Sequence, residues 1–526
     1  MKKKLFFCFI FIALIYLFCE NYSCETFDRT FMIYMNGSDL ESEDKIASGD
    51  LKEICESEIP KGSKVLIYTG GTKNWNNEKI NENNNQIFEI KNKKLHLIKN
   101  LSKKSMGSSE TLSEFIDFSM GHYKSDENIL IFWNHGGGAI SGFGKDENFD
   151  NDTLLLSELK KGLKTSYENH KTKLDMIVFD ACLMGSLETA YSIKDYSKYM
   201  VASEEFVLGY GLNYKNIIEK SSNRDIESLG RLIVESYYNE SVRKNKDKII
   251  PMSLLNLDKV EALYDEFNFL IENNINEYDV SNLKEDILKG TVFGGRTKEE
   301  GFSNMVDFLS LLKNIFKESD YIKLERLVDD VVIYNRKGFI NNDACGVSIF
   351  FPLDYNSKTL NELILYETLN TNSSYCAFLK KYALSRDMKK YKDIFKVKKV
   401  QNKNIIYEIT KYGQKSDNSP FYFNGYMLSC YKINSVGMNE IYAAPIIYNG
   451  KEASIRFEYN VYNNKVDILG IVMGRGNLNI SEKKLIDIAF GDKICIINYE
   501  LLRGGDVKIL RRNALKVTEN IKLLQM

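Results

Sequence analysis

Short apolar runs alternate with helix-spaced stretches over the first two thirds of the chain. Residues 29–36 (RTFMIYMN), 63–71 (SKVLIYTGG), 128–134 (NILIFWN), 174–181 (LDMIVFDA), 199–205 (YMVASEE) and 345–352 (CGVSIFFP) read as strands. The runs at 128–134 and 174–181 are apolar on both faces, as central strands of a covered parallel sheet should be. Residues 86–100 alternate and predict a hairpin. Residues 45–58 have helical spacing. Residues 109–123 predict a helix with Leu112, Phe115, Ile116 and Met120 on one face and Ser109 as its cap. Residues 222–245, 257–274 and 304–335 read mainly as helices. This alternation predicts an α/β fold with a mostly parallel sheet.

From about residue 396 the pattern changes. Apolar alternating runs at 404–413, 420–433, 440–450, 451–464, 465–475 and 493–502 follow one another at short intervals, with turn sequences such as YNGK between them. They predict a separate antiparallel β domain. At the other end, a basic start followed by an apolar run at 5–18 and a polar stretch has the layout of a secretory signal peptide. That run is short for a membrane-spanning helix, which needs about 20 residues. Cys24 and Cys19 are poor matches to a lipid-attachment cysteine: Cys24 has Asn21 at the third position back, and Cys19 follows bulky Phe18. The expected division is a leader at 1–24, an α/β domain at 25–395 and a β domain at 396–526. The expected location is secreted or cell-surface, with membrane association only if the leader is retained or lipidated.

Composition narrows the partners. A formal net charge of −1 over 526 residues gives no reason to expect nucleic acid or anionic lipid. Outside the leader the cysteines are Cys55, Cys182, Cys345, Cys376, Cys430 and Cys495. Their wide scatter fits neither a zinc site nor a dense disulfide framework. An exported chain with unpaired thiols suggests a reducing habitat, or a thiol kept for chemistry.

Two motifs fall where ligands bind in open α/β sheets, beyond the carboxyl ends of the strands. One is His135 with Gly136, Gly137 and Gly138. The other is Asp180-Ala181-Cys182, running into an amphipathic stretch. Near a helix's first turn, Cys182 would be favoured as a thiolate and could attack a peptide carbonyl. His135 could pair with it or protonate the leaving amine. The glycines admit a substrate backbone, and the N–H groups of Gly136 and Cys182 could form an oxyanion hole. The plainer readings are a cysteine that is only a small buried residue and an Asp180 that only caps a helix.

The wording of these motifs, NHGGG and DACLMG, resembles the clostripain family of cysteine peptidases, in the clan of caspases, gingipains and legumain. Segments FMIYMNGSDLES, TGGTKNW, GVSIFFP and PIIYNGKEASIRFEY are similar to family segments as well. The resemblance implies a caspase-like α/β/α sandwich and a His135–Cys182 dyad. It implies protein or peptide substrates cut after Arg or Lys, with Asp180 as the specificity carboxylate. It places Ser203, Glu204 and Glu205 in another wall of the pocket, although the proline many relatives have after the acidic pair is Phe206 here. It also implies self-cleavage after the histidine motif, where Lys145 is the basic residue on offer. No cofactor is expected for the chemistry. Calcium, on which some relatives depend, has an acidic candidate stretch at 145–152 that reads equally as a solvated loop. The competing expectations are a clan relative with other specificity or ligase activity, and an inactive surface-binding protein on a peptidase scaffold.

Overall fold

The computed structural model describes residues 26–385 and 421–525, apart from 275–282, 284–286, 289, 297–299, 354–356, 370–372, 424–425, 429, 464, 474–484, 490, 502–506, 512–514 and 517–522. The leader and the run at 404–413 lie outside the described residues.

In chain order the strands of the α/β part are β1 (Phe27–Asn36), β2 (Ser63–Gly70), β3 (Asn84–Lys91), β4 (Lys94–Ser102), β5 (Ser125–Trp133), β6 (Phe143–Asp146), β7 (Asp152–Leu154), β8 (Leu174–Asp180), β9 (Ser197–Ser203), β10 (Pro251–Asn256), β11 (Val292–Phe293), β12 (Met305–Asp307), β13 (Val332–Lys337) and β14 (Ser348–Phe350). Nine of them form one sheet in the order β13-β10-β9-β8-β5-β1-β2-β3-β4. The middle five are parallel, and antiparallel strands finish both edges. Every residue of β8 is buried, as a strand covered on both faces requires. Successive side chains of β5 show the two layers. Phe132 packs against Phe143 and Tyr34, and Tyr34 against Phe115 of the helix Ser109–His122. Trp133 points the other way and donates its Nε1–H to Asp50 of the helix Ile46–Glu56, at 2.7 Å.

The predicted hairpin is β3–β4. Asn92 and Lys93 turn it with φ of 50° and 59°, the left-handed pair of a type I′ turn. Its outer strand carries exposed lysines, which protect a free sheet edge from further pairing.

Several expectations change. Residues 304–335 are not helical throughout. β12 opens them, the helices Phe308–Ile315 and Glu318–Val331 follow, and the β-branched run from Val332 enters the main sheet as β13. The 345–352 run forms β14, which joins a small antiparallel sheet, β11-β12-β14, outside the main one. The helix Leu156–His170 and strand β10 had no counterpart in the hydrophobic pattern.

The second part is antiparallel, as expected. Its strands are β15 (Phe421–Phe423), β16 (Tyr426–Met427), β17 (Tyr431–Val436), β18 (Asn439–Tyr448), β19 (Lys451–Asn460), β20 (Lys465–Met473), β21 (Leu485–Ile486), β22 (Lys493–Leu501), β23 (Val507–Arg511), β24 (Leu515–Lys516) and β25 (Leu523–Gln525). The main ladder runs β21-β20-β19-β18-β22-β23. Asn449 and Gly450, both at positive φ, make the predicted β18–β19 turn. This sheet has its own core around Tyr442, Ile455 and Phe457, while its Ile441, Leu469 and Val472 join the core of the α/β part. Among the described residues Cys55, Cys182, Cys345, Cys376, Cys430 and Cys495 form no disulfide, and no helix is long and apolar enough to cross a membrane.

Candidate active site

β5 and β8 are neighbouring parallel strands in a fixed register, Ile129 opposite Met176 through to Trp133 opposite Asp180. That offset is 47 residues. Carried two residues past the strand ends it sets His135 opposite Cys182, so the spacing between the motifs is the register of the sheet. The contact beyond the strands is tight. A Cβ on Gly136 would lie 2.1 Å from the Cys182 carbonyl oxygen and 3.0 Å from its nitrogen, so only glycine fits there.

His135 is nearly fully buried. Its Nε2 is 3.0 Å from Asp39 Oδ1, and Asp39 Oδ2 is 3.3 Å from Lys145 Nζ. Burial alone would raise the Asp39 carboxyl, but the charges and hydrogen bonds of His135 and Lys145 hold it well below the usual carboxylate range. Asn134, beside His135, ties the two loops together. Its side-chain amide donates to the Asn36 carbonyl and, at 2.8 Å, to Ser38 Oγ.

Cys182 has no exposed surface. Its Sγ accepts the Val207 N–H at 3.3 Å and lies 3.7 Å from the Val207 carbonyl oxygen, to which the thiol donates. The next residue, Leu183, has φ 62°, a left-handed conformation unusual outside glycine. It is pinned by its N–H, which donates to the Glu205 carbonyl at 3.1 Å. The expected helix-start environment is corrected here. The helix begins only at Leu187, with Ser186 as the cap accepting from Thr189 N–H. Cys182 therefore lies before the first turn, where the helix dipole has faded, and the capping role is Ser186's rather than Asp180's.

Asp180 is buried. Its Oδ2 accepts from Tyr214 Oη at 2.9 Å and Leu212 N–H at 3.3 Å. Burial, with Asp180 beside it, pushes the Tyr214 phenol well up, so it stays a donor. Ser203 Oγ donates to the Pro251 carbonyl and accepts the Glu205 N–H. The Glu205 carboxylate takes the N–H groups of Phe206 and Gly294 on Oε1, with Arg296 3.3 Å from Oε2. Glu204 is buried apart from these, accepting the Gly346 N–H at 3.1 Å. Its carboxylate lies within 4.8 Å of ligand atoms of Asp307 and Cys345, a set that could hold a cation. Burial first, then the Asp307 charge, raises the Glu204 carboxyl well above its ordinary value.

Lys145 lies in strand β6 and not in an open loop. The acids of 145–152 turn to separate donors: Asp146 to Met106 N–H, Glu147 to Ser42 and Thr72, Asp152 to Ser105. They do not converge as a calcium site would. Two open cavities, of about 380 and 870 Å³, lie at the far end of the strands around Asp28, Pro60, Lys61 and Ser63, away from His135.

The sequence model of the clostripain family, peptidase family C11, matches residues 33–431. This chain belongs to the clostripain family. Clostripain of Hathewaya histolytica is 28% identical to it over 222 residues, 34% of this chain and 41% of that protein, so less than half of that relative is spanned. Two solved structures share the fold at a TM-score of 0.52. One is a secreted C11 cysteine protease from Bacteroides thetaiotaomicron in complex with an irreversible peptide inhibitor, 16% identical and covering 66% of this chain and 100% of that one. The other is an inactive zymogen C11 protease from Parabacteroides distasonis, 20% identical and covering 66% of this chain and 97% of that one.

Within this clostripain-family chain, Asp39 is the residue sequence reasoning missed. It stands in the NGSDLES stretch that carried part of the resemblance, and its position just past the end of β1 was the available signal.

Proposed function

We propose that the protein is an exported cysteine endopeptidase, made as a latent precursor, that hydrolyses peptide bonds after Arg or Lys. The observation that carries this reading is the in-register placement of His135 and Cys182 at the carboxyl ends of β5 and β8, with Asp180 two residues before the thiol. The Cys182 thiolate attacks the substrate carbonyl carbon. The resulting oxyanion is held by the N–H groups of Gly136 and Cys182, at roughly 3 kcal/mol per donor. His135 gives its proton to the amine as the C–N bond breaks, then draws one from the water that releases the acyl group. Asp39 is a positioning residue that orients the imidazole from the side of Nε2. Asp180 receives the basic side chain once the segment bearing Leu212 and Tyr214 moves aside.

Latency follows from the buried thiol: Val207 must leave Cys182 before a substrate can reach it. Lys145 is the proposed processing residue. Through Asp39 it is two contacts from His135, and the N–H and carbonyl of its own backbone are each 3.2 Å from the Asn36 amide when that group is turned to suit both. Cutting there would free the segment from the dyad. The chemistry calls for no cofactor.

The test uses reduced, purified protein. Wild type should be cut next to Lys145, should then cleave fluorogenic peptides ending in Arg or Lys, and should be labelled at Cys182 by a peptide electrophile. The Cys182→Ala protein should stay whole. A processed wild type that neither cleaves nor labels would leave the scaffold a binding protein, and transfer of the acyl group to an added amine in preference to water would make it a ligase.

A further inference from the structure

We propose that the C-terminal β sheet is a working part of the peptidase site. Arg456 of β19, acting through Glu300 and Glu205, is a positioning residue for Leu183, the left-handed residue that follows Cys182. This inference rests on the dyad reading above and gives the β domain a role.

A continuous set of buried contacts makes the link. The Arg456 guanidinium forks onto Glu300, Nε to Oε1 at 2.9 Å and Nη2 to Oε2 at 2.7 Å, and both side chains are almost fully buried. Ser454, on the same strand, adds a 2.6 Å hydrogen bond to Glu300 Oε1. Charge-assisted bidentate pairs of this kind fix geometry as well as adding energy. Arg456 Nη2 also donates to the Gly294 carbonyl at 2.8 Å, and the Arg296 N–H donates to Glu300 Oε2 at 2.8 Å. Residues 294 and 296 are thus held from the β-domain side. They in turn hold Glu205: the Gly294 N–H donates to Oε1 at 2.8 Å and Arg296 faces Oε2.

Glu205 is where the path meets the chemistry. Its carbonyl accepts the Leu183 N–H and so restrains the left-handed residue that follows the nucleophile. Two residues on, the Val207 N–H meets Cys182 Sγ; that contact parts on activation, so the restraint that reaches catalysis is the one on Leu183. The Arg456 guanidinium also lies 5.8 Å from the ring of Phe206, between them in sequence. A contact that merely joined two domains would need none of this. Other ion pairs across the same boundary, Lys246 with Asp487, Lys248 with Glu458 and Lys451 with Glu43, do join them without reaching Glu205.

The test is a double-mutant cycle on processed, full-length protein, comparing Arg456→Met, Glu205→Gln and the pair, with Arg456→Lys as the conservative variant and Lys246→Met as the domain-joining control. kcat and KM for an Arg or Lys peptide are read beside the melting temperature. Arg456→Met should lower kcat about tenfold or more with KM held within about twofold, and Arg456→Lys should recover part of it. The double variant should be no worse than the poorer single one, because both cut the same path. Lys246→Met should keep kcat within about twofold. Effects that multiply, or a lower melting temperature with kcat intact, overturn the proposal. If Arg456→Met does not fold, the same cycle run with Arg456→Lys decides by the same criterion. A wild type that neither cleaves nor labels at Cys182 sinks the dyad reading and this proposal together, whereas an active wild type indifferent to Arg456 sinks this one alone.

Discussion

At the scale of single residues, the site is built on carboxylates with opposite fates. Asp39 stays charged between His135 and Lys145. Asp39→Asn should leave the substrate's contacts in place but weaken the hold on the imidazole, so kcat should fall about tenfold or more while KM changes little. Steady-state kinetics on the processed variant checks this, and an unchanged kcat would remove Asp39 from the machinery. Glu204 behaves the other way, since burial and Asp307 raise it. A carboxyl raised in the folded state costs nothing while both states are protonated, below about pH 4.3. As pH rises past that value the unfolded chain ionises and the folded one does not, so this contribution to stability is lost until the folded group ionises too. Glu204→Gln still accepts from Gly346 and carries no charge to bury beside Asp307. Its melting temperature relative to wild type should therefore rise from no advantage near pH 4 to a clear advantage at pH 8. Thermal melts at the two pH values decide, and a Gln variant weakened equally at both would refute the argument.

At the scale of elements, the parallel strands were legible because burial on both faces leaves an unmistakable apolar run, as in β5 and β8. The hairpin β3–β4 was legible from alternation. The helix Leu156–His170 was harder to see, because it faces the core with little more than Leu156, Leu159 and Leu163. β13 was hidden because it follows a helix with no breaker between them. His135 and Cys182 could be named from their motifs, whereas Asp39 offered only its place past the end of β1, because its relation to His135 exists only once β1 and β5 lie side by side. The close approach of loops at the strand ends is the feature most sensitive to substitution. Gly136→Ala would drive a methyl group into the Cys182 carbonyl. It should cost roughly 1–3 kcal/mol of stability and most of the activity, read by melting temperature and peptide cleavage. Full activity would mean that the two loops separate more easily than their packing suggests.

At the scale of the molecule, the two sheets were foreseen from the change of pattern near residue 396. What spacing alone could not convey is that they share packing and buried ion pairs. Arg456 and Glu300 are 156 residues apart and neither belongs to a recognisable motif. The signal peptide expected at 1–24 falls outside the described residues. The 47-residue register has a further consequence. Because His135 and Cys182 follow adjacent strands that are hydrogen-bonded to each other, a cut further along the connection between those strands need not part them. The turn at 149–151, outside the anchored Asp146 and Glu147, can then be extended with the recognition sequence of a different protease, which would turn the precursor into a switch thrown by a trigger of the experimenter's choosing.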